Sequence, residues 1–102
     1  MVSSPNGVYG DLLRRPGQFK EALDCFQRAL DIYRELGNPV KVAIILGSIG
    51  LVFEDQGHYQ EALIKYQEAL QLKRQYSSPQ AIAITERNIA RVCQFIILSI
   101  FL

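Results

Sequence analysis

Arg87 and Arg91 stand one helical turn apart, and no other pair in the chain comes as close to a binding constellation. Residues four apart share one face of a helix. Two guanidinium forks on one face, with the Asn88 amide beside them, can hold a carboxylate or an acidic peptide. The competing reading is a solvated helix face. The other reactive side chains do not converge. His58 is the single histidine. Without a second histidine or patterned cysteines it makes neither a metal site nor a catalytic triad, and an exposed turn residue is expected. Glu54 and Asp55 are adjacent, so their side chains diverge and paired acid–base work is not expected. A solvated face or a groove rim is the reading for them. Cys25 and Cys93 show no Cys-x-x-Cys spacing and are expected to be buried free thiols. Ser77-Ser78 reads as a cap and loop. The chain is therefore expected to be no enzyme and to carry no metal or cofactor.

The bulk properties narrow the class further. A chain of 102 residues is at most one domain, and 49% hydrophobic content is enough for a core. A formal charge of +1 removes the electrostatic case for nucleic acid, which needs a concentrated basic surface. The start has neither a basic flank nor an apolar run, so no secretory signal is read there. The longest apolar stretch, residues 95–102, is broken by Ser99 and falls far short of the ~20 residues that span a bilayer. A cytoplasmic protein is the expectation.

The elements that must position these residues come in duplicate. Gly17-Gln18-Phe19-Lys20-Glu21-Ala22-Leu23 is echoed by Gly57-His58-Tyr59-Gln60-Glu61-Ala62-Leu63, 40 positions later. At the same offset Phe26-Gln27-Arg28-Ala29-Leu30 returns as Tyr66-Gln67-Glu68-Ala69-Leu70, and Pro39 as Pro79. A fixed period of this size marks a stacked-repeat architecture.

Within each period the apolar spacing is helical. Phe19, Ala22, Leu23, Phe26, Ala29, Leu30 and Tyr33 predict a helix over 19 to about 36. Gly37-Asn38-Pro39 stops it, with glycine suited to the left-handed cap. A second helix is predicted over about 40–56. It is apolar nearly all round and so is flanked on more than one side. Gly47 and Gly50 inside it each cost roughly 1 kcal/mol relative to Ala, and close approach of a neighbouring helix is the expected benefit. Gly57 ends that helix. A third is predicted over 59–76, with Glu61 and Lys65 ordered for a surface pair. A fourth begins near Pro79 or Gln80, with Ser78 as N-cap. Residues 1–16 hold at most a short helix, because Pro5, Gly7, Gly10 and Pro16 oppose one. The aromatics Phe19, Phe26, Tyr33, Tyr59 and Tyr66 recur at helical spacing and are expected in the core. No strand signal competes.

These residues resemble tetratricopeptide repeats. Leu46, Ile49-Gly50 and Phe53 on one helix, then Gly57, Ala62, Tyr66 and Ala69 on the next, match the family's signature. The preceding unit matches at Gly10, Gly17, Ala22, Phe26 and Ala29, with Tyr9 and Leu13 in the leucine and aromatic places and Asn6 where a large apolar residue belongs. The third unit keeps Ile89-Ala90, with Cys93 in the aromatic place and Ile97 where the turn glycine belongs, so it lacks its second helix. The repeat departs from the family's usual period of about 34. The resemblance implies an all-α, antiparallel helix-turn-helix solenoid of about two repeats plus a terminal helix. Repeat one covers about 3–39, repeat two about 43–79 and a partial third 80–94, with an apolar tail at 95–102.

It also implies a protein–protein interaction module, an adaptor or scaffold that binds a peptide or helix of a partner in a concave groove lined by first helices. Ile44, Gly47, Ser48, Leu51 and Glu54 would form a shallow, mostly apolar floor, suited to the apolar face of a partner helix. The alternative is that they only pack against neighbouring helices. Arg87, Asn88 and Arg91 fall at groove-facing places. The family's clamp for a peptide C-terminus is not intact, since its other places hold Gly7, Asp11, Gly47 and Leu51. Residues 95–102 end the solenoid without a polar cap. They extend the last helix onto its own groove, pair with another copy through Phe95, Ile96, Leu98 and Phe101, or await a neighbour missing from a fragment. Oligomerisation or a regulatory accessory role through this tail is the second functional reading.

Overall fold

The computed structural model describes residues 18–101. Four α-helices follow one another: α1 (Phe19–Glu35), α2 (Pro39–Asp55), α3 (Tyr59–Tyr76) and α4 (Pro79–Phe101). There is no strand among the described residues. The short helix considered between residues 7 and 15, the turn at Pro16-Gly17, the matches at Tyr9, Gly10 and Leu13, the clamp places Gly7 and Asp11, and Leu102 lie outside the described residues.

Local chemistry explains the ends of α1 and α2 and the starts of α2 and α4. Gly37 (φ 67°) and Gly57 (φ 81°) are left-handed, a region closed to most L side chains. At each, two backbone bonds close the preceding helix. Asn38 N–H donates to Tyr33 O and Gly37 N–H to Arg34 O; His58 N–H donates to Phe53 O and Gly57 N–H to Glu54 O. This is the Schellman arrangement, and His58 completes the second one by stacking on Phe53 at 6.3 Å. Asn38 Oδ1 accepts from Lys41 N–H, and Pro39 stands at the first position of α2. Ser78 Oγ accepts from Ala81 N–H and caps α4, as its position predicts.

The turns send successive helices back on one another, and each packs on its neighbours in sequence. Two apolar clusters result. Leu30, Val42, Leu46, Ile49 and Ala69 join α1, α2 and α3. Ala62, Tyr66 and Val92 join α3 to α4, with Leu51, Ile89 and Ile96 packed at the margin. Packing mainly between neighbours in sequence is the logic of a solenoid. Phe26, Tyr33, Tyr59 and Tyr66 all enter this packing.

Three expectations are corrected. Both cysteines are free, but Cys25 is exposed and Cys93 half-buried. Cys25 lies off the Ala22, Leu23, Phe26, Leu30 stripe that faces α2, and Cys93 is rotated by about 100° from buried Val92. Lys65 does not pair with Glu61. It pairs with Glu68 at 3.6 Å, while Glu61 meets His58 at 3.9 Å. Such surface pairs differ by less than about 0.5 kcal/mol, so small differences of rotamer decide between them. Gly47 has nothing within 4 Å of where a Cβ would stand, so close approach explains Gly50 alone.

One buried polar contact had no signal in the sequence. Thr85 is buried in α4, accepts from Lys73 Nζ at 2.7 Å and donates to Ala81 O. Burial holds the Lys73 ammonium below its ordinary pKa. Thr85→Val keeps the shape and removes the acceptor, so it is expected to cost about 1 kcal/mol in urea denaturation. An unchanged midpoint would mean that Lys73 simply turns to water.

Candidate functional site

The groove places on α2 lie along one face, three and four residues apart: Ile44, Gly47, Ser48, Leu51 and Glu54. Their environments differ. Ile44 is 48% exposed, although its neighbours Val42, Ala43 and Leu46 are core. Ser48 Oγ donates back to Ile44 O, so its hydroxyl turns to its own helix. Leu51 is half-buried against the α3–α4 cluster and belongs partly to the packing.

Arg87, Asn88 and Arg91 come from α4. Because α2 and α4 both pack on α3, the structure brings the two rows together, and they are joined at one end. Arg91 Nε donates to Glu54 Oε2 at 2.7 Å and Arg91 Nη2 to Glu54 Oε1 at 3.0 Å. Tyr66 Oη, from fully buried Tyr66 on α3, donates to Glu54 Oε1 at 2.8 Å. One carboxylate thus ties three helices.

Glu54 is not the solvated acid expected from its place beside Asp55. Its side chain is 12% exposed. Burial alone would raise its pKa. The hydrogen bonds from Arg91 and Tyr66, with the Arg91 charge, outweigh burial and hold it below its ordinary value. Burial, then the Glu54 carboxylate, pushes the Tyr66 phenol well up, and the Glu54 bond raises Arg91. Gly50 makes the network possible. A Cβ there would lie 2.6 Å from Tyr66 Cε1 and 2.8 Å from Cδ1, so the ring lies against bare α2 backbone and its hydroxyl reaches Glu54 one turn on.

The arginine pair therefore splits. Arg91 is committed to Glu54, while Arg87 is exposed and Asn88 half-buried. His58 is exposed in its turn, as expected. No group of three or more His, Cys, Asp or Glu among the described residues could hold a metal ion. None of the described helices is long and apolar enough to cross a membrane.

A separate concavity lies elsewhere. A cleft of about 570 Å³ opens between α1, α2 and α3, walled by Tyr33, Tyr76, Asn38, Gln71 and Gln75 over a floor of Val42 and Leu46. At about 100° per residue, Val42 and Leu46 face nearly opposite to the Ile44–Leu51 row. It is lined from three helices, and no spacing within one helix reports that.

A tetratricopeptide repeat family model matches residues 2–75. No curated protein and no solved structure matches the chain.

Proposed function

The chain belongs to the tetratricopeptide repeat family, and from that premise we propose that it is an adaptor or scaffold whose α2–α4 groove takes the apolar face of a partner helix. Repeats of this family generally mediate protein–protein interaction and are generally non-catalytic. The observation that carries the groove reading is Ile44. It is a large apolar side chain left 48% exposed on the otherwise most buried helix, with Leu51 two turns along the same face. An acidic tail fits less well, because the Arg91 charge is already matched by Glu54 and only Arg87 of the pair is exposed. Two unpaired thiols, one exposed, fit a reducing compartment, and we assign the cytoplasm.

The test is selection from a displayed peptide library, followed by affinity measurement by fluorescence anisotropy. The selected peptides are expected to carry apolar residues at helical spacing. Ile44→Glu should weaken them at least about tenfold with no loss of thermal stability, since its side chain is not core. Arg87→Glu should change affinity by less than about threefold. Equal binding by the Ile44→Glu variant would reject the groove.

The second reading is an oligomerisation or accessory role. The observation favouring it is the row of exposed apolar side chains at the end of α4.

A further inference from the structure

Lys73 is set apart from the other lysines of the chain by what its amine meets. It lies in the last turn of α3, half-buried, and its Nζ donates to Thr85 Oγ1 of α4 at 2.7 Å. Thr85 is 2% exposed and gives its own hydroxyl proton to Ala81 O, so it faces Lys73 as an acceptor. That acceptor is neutral. The ion pairs among the described residues engage His58, Lys65, Arg74 and Arg91, not Lys73. The charges flanking the contact are matched to each other: Arg74, next to Lys73 on α3, pairs with Glu86, next to Thr85 on α4, at 3.5 Å. Lys20 and Lys41 are exposed, and Lys65 has Glu68.

An ammonium taken partly out of water beside a neutral hydroxyl loses hydration and gains no counter-charge. Its neutral form is favoured in return. Burial is the cause that lowers the Lys73 pKa, and among the described residues no charge on α1, α2 or α4 offsets it. A lysine desolvated in this way is an activated nucleophile. In the free amine one N–H stays with Thr85 Oγ1 and holds the nitrogen in place, while the lone pair is left for an electrophile. Half-burial leaves the amine open to a small reagent.

We propose that Lys73 is a modification site, whose ε-amine takes an acyl group from a small activated donor, an acyl phosphate or an acyl thioester, ahead of the other lysines. The amine lone pair attacks the acyl carbonyl carbon and the C–N bond forms. The bond from that carbon to the phosphate oxygen or thiol sulfur breaks, the leaving group departs with its electron pair, and the nitrogen gives one proton to water. The amide so formed keeps one N–H for Thr85 Oγ1, and no ion pair is broken. The site is independent of the groove and of oligomerisation.

The test treats the whole folded chain with acetyl phosphate and, separately, with acetyl-coenzyme A. Peptide mass spectrometry follows acetylation of Lys20, Lys41, Lys65 and Lys73 with time. A phosphine reductant is present because Cys25 is exposed. At about pH 7.5 Lys73 should be acetylated at least about threefold faster than each of the other three. Its lead should shrink as pH rises to about 10, close to the ordinary lysine pKa, where the other amines are freed too. In about 8 M urea the four should react within about twofold of one another. A lead with one donor alone would support the site and name its source. Lys73 reacting no faster than Lys20 and Lys41 in the folded chain would overturn the proposal. So would a lead that persists in urea, which would belong to the local sequence, or a lead independent of pH, which would report access alone.

Discussion

Gly50→Ala destabilises the fold by about 2 kcal/mol, whereas Gly47→Ala, one turn earlier on the same helix, stabilises it by up to about 1 kcal/mol. Each substitution gains the same helix propensity, roughly 1 kcal/mol. They differ in what the new methyl group meets. At Gly47 it meets nothing within 4 Å. At Gly50 it meets three atoms of the Tyr66 ring, the nearest at 2.6 Å. That ring cannot retreat easily, because Tyr66 is fully buried and its hydroxyl is held by Glu54. Relief therefore requires α2 and α3 to separate or the ring to leave its rotamer, at a cost of about 1–3 kcal/mol before the lost hydrogen bond is added. Thermal and urea midpoints of the two variants should move in opposite directions. Equal shifts would mean that the ring relaxes freely and that Gly50 has no packing role.

The second large effect lies in the Glu54 network. Arg91→Ala should cost about 1–2 kcal/mol at neutral pH, a figure already reduced for the partial exposure of the arginine. It leaves a half-buried carboxylate with the Tyr66 hydroxyl as its one remaining side-chain donor. Tyr66→Phe should cost about 1 kcal/mol. Because both donors share Oε1, the double variant should not be additive. The pH dependence follows from the sign of the shift. The folded-state pKa of Glu54 lies below its ordinary value of 4.5. Its contribution is therefore complete above the ordinary carboxylate range and is lost as pH falls through the folded value. Denaturation between about pH 6 and pH 3 should show Glu54→Gln as less stable than the parent at the upper end and converging with it at the lower. Parallel curves would place the network outside the stability of the fold.

Gly50, Tyr66, Glu54 and Arg91 form one packed unit, and that has a functional consequence. Glu54 and Arg91 both fall on the groove rows, yet they act as a strut between repeat two and the terminal helix. Under the proposed groove reading, what remains for a partner is Ile44, the exposed part of Leu51 and Arg87. A variant at Arg91 would therefore lower binding and stability together, and only Ile44 and Arg87 report on the groove cleanly.

Helix position was legible in the sequence because helix ends are decided within five or six residues. Gly37 and Gly57 must be left-handed for the chain to turn, Pro39 and Pro79 can only start helices, and Ser78 caps the residue three further on. The 40-residue echo then made a helix–turn–helix solenoid the only economical assembly, and the stripes Ala22–Leu30 and Ala62–Leu70 marked its inner faces. The tertiary structure decided what depends on angles between helices. Glu54 and Arg91 are 37 residues apart and meet only because α3 sets α2 and α4 side by side. Gly47 and Gly50 look alike on their helix, and only the path of the Tyr66 ring separates a filled place from an open one. Leu51 sank into the packing while Ile44 stayed out, through rotations of a residue or so about the helix axis. Such rotations cost little in local energy, so local chemistry does not select them. The fit of one helix against the next does.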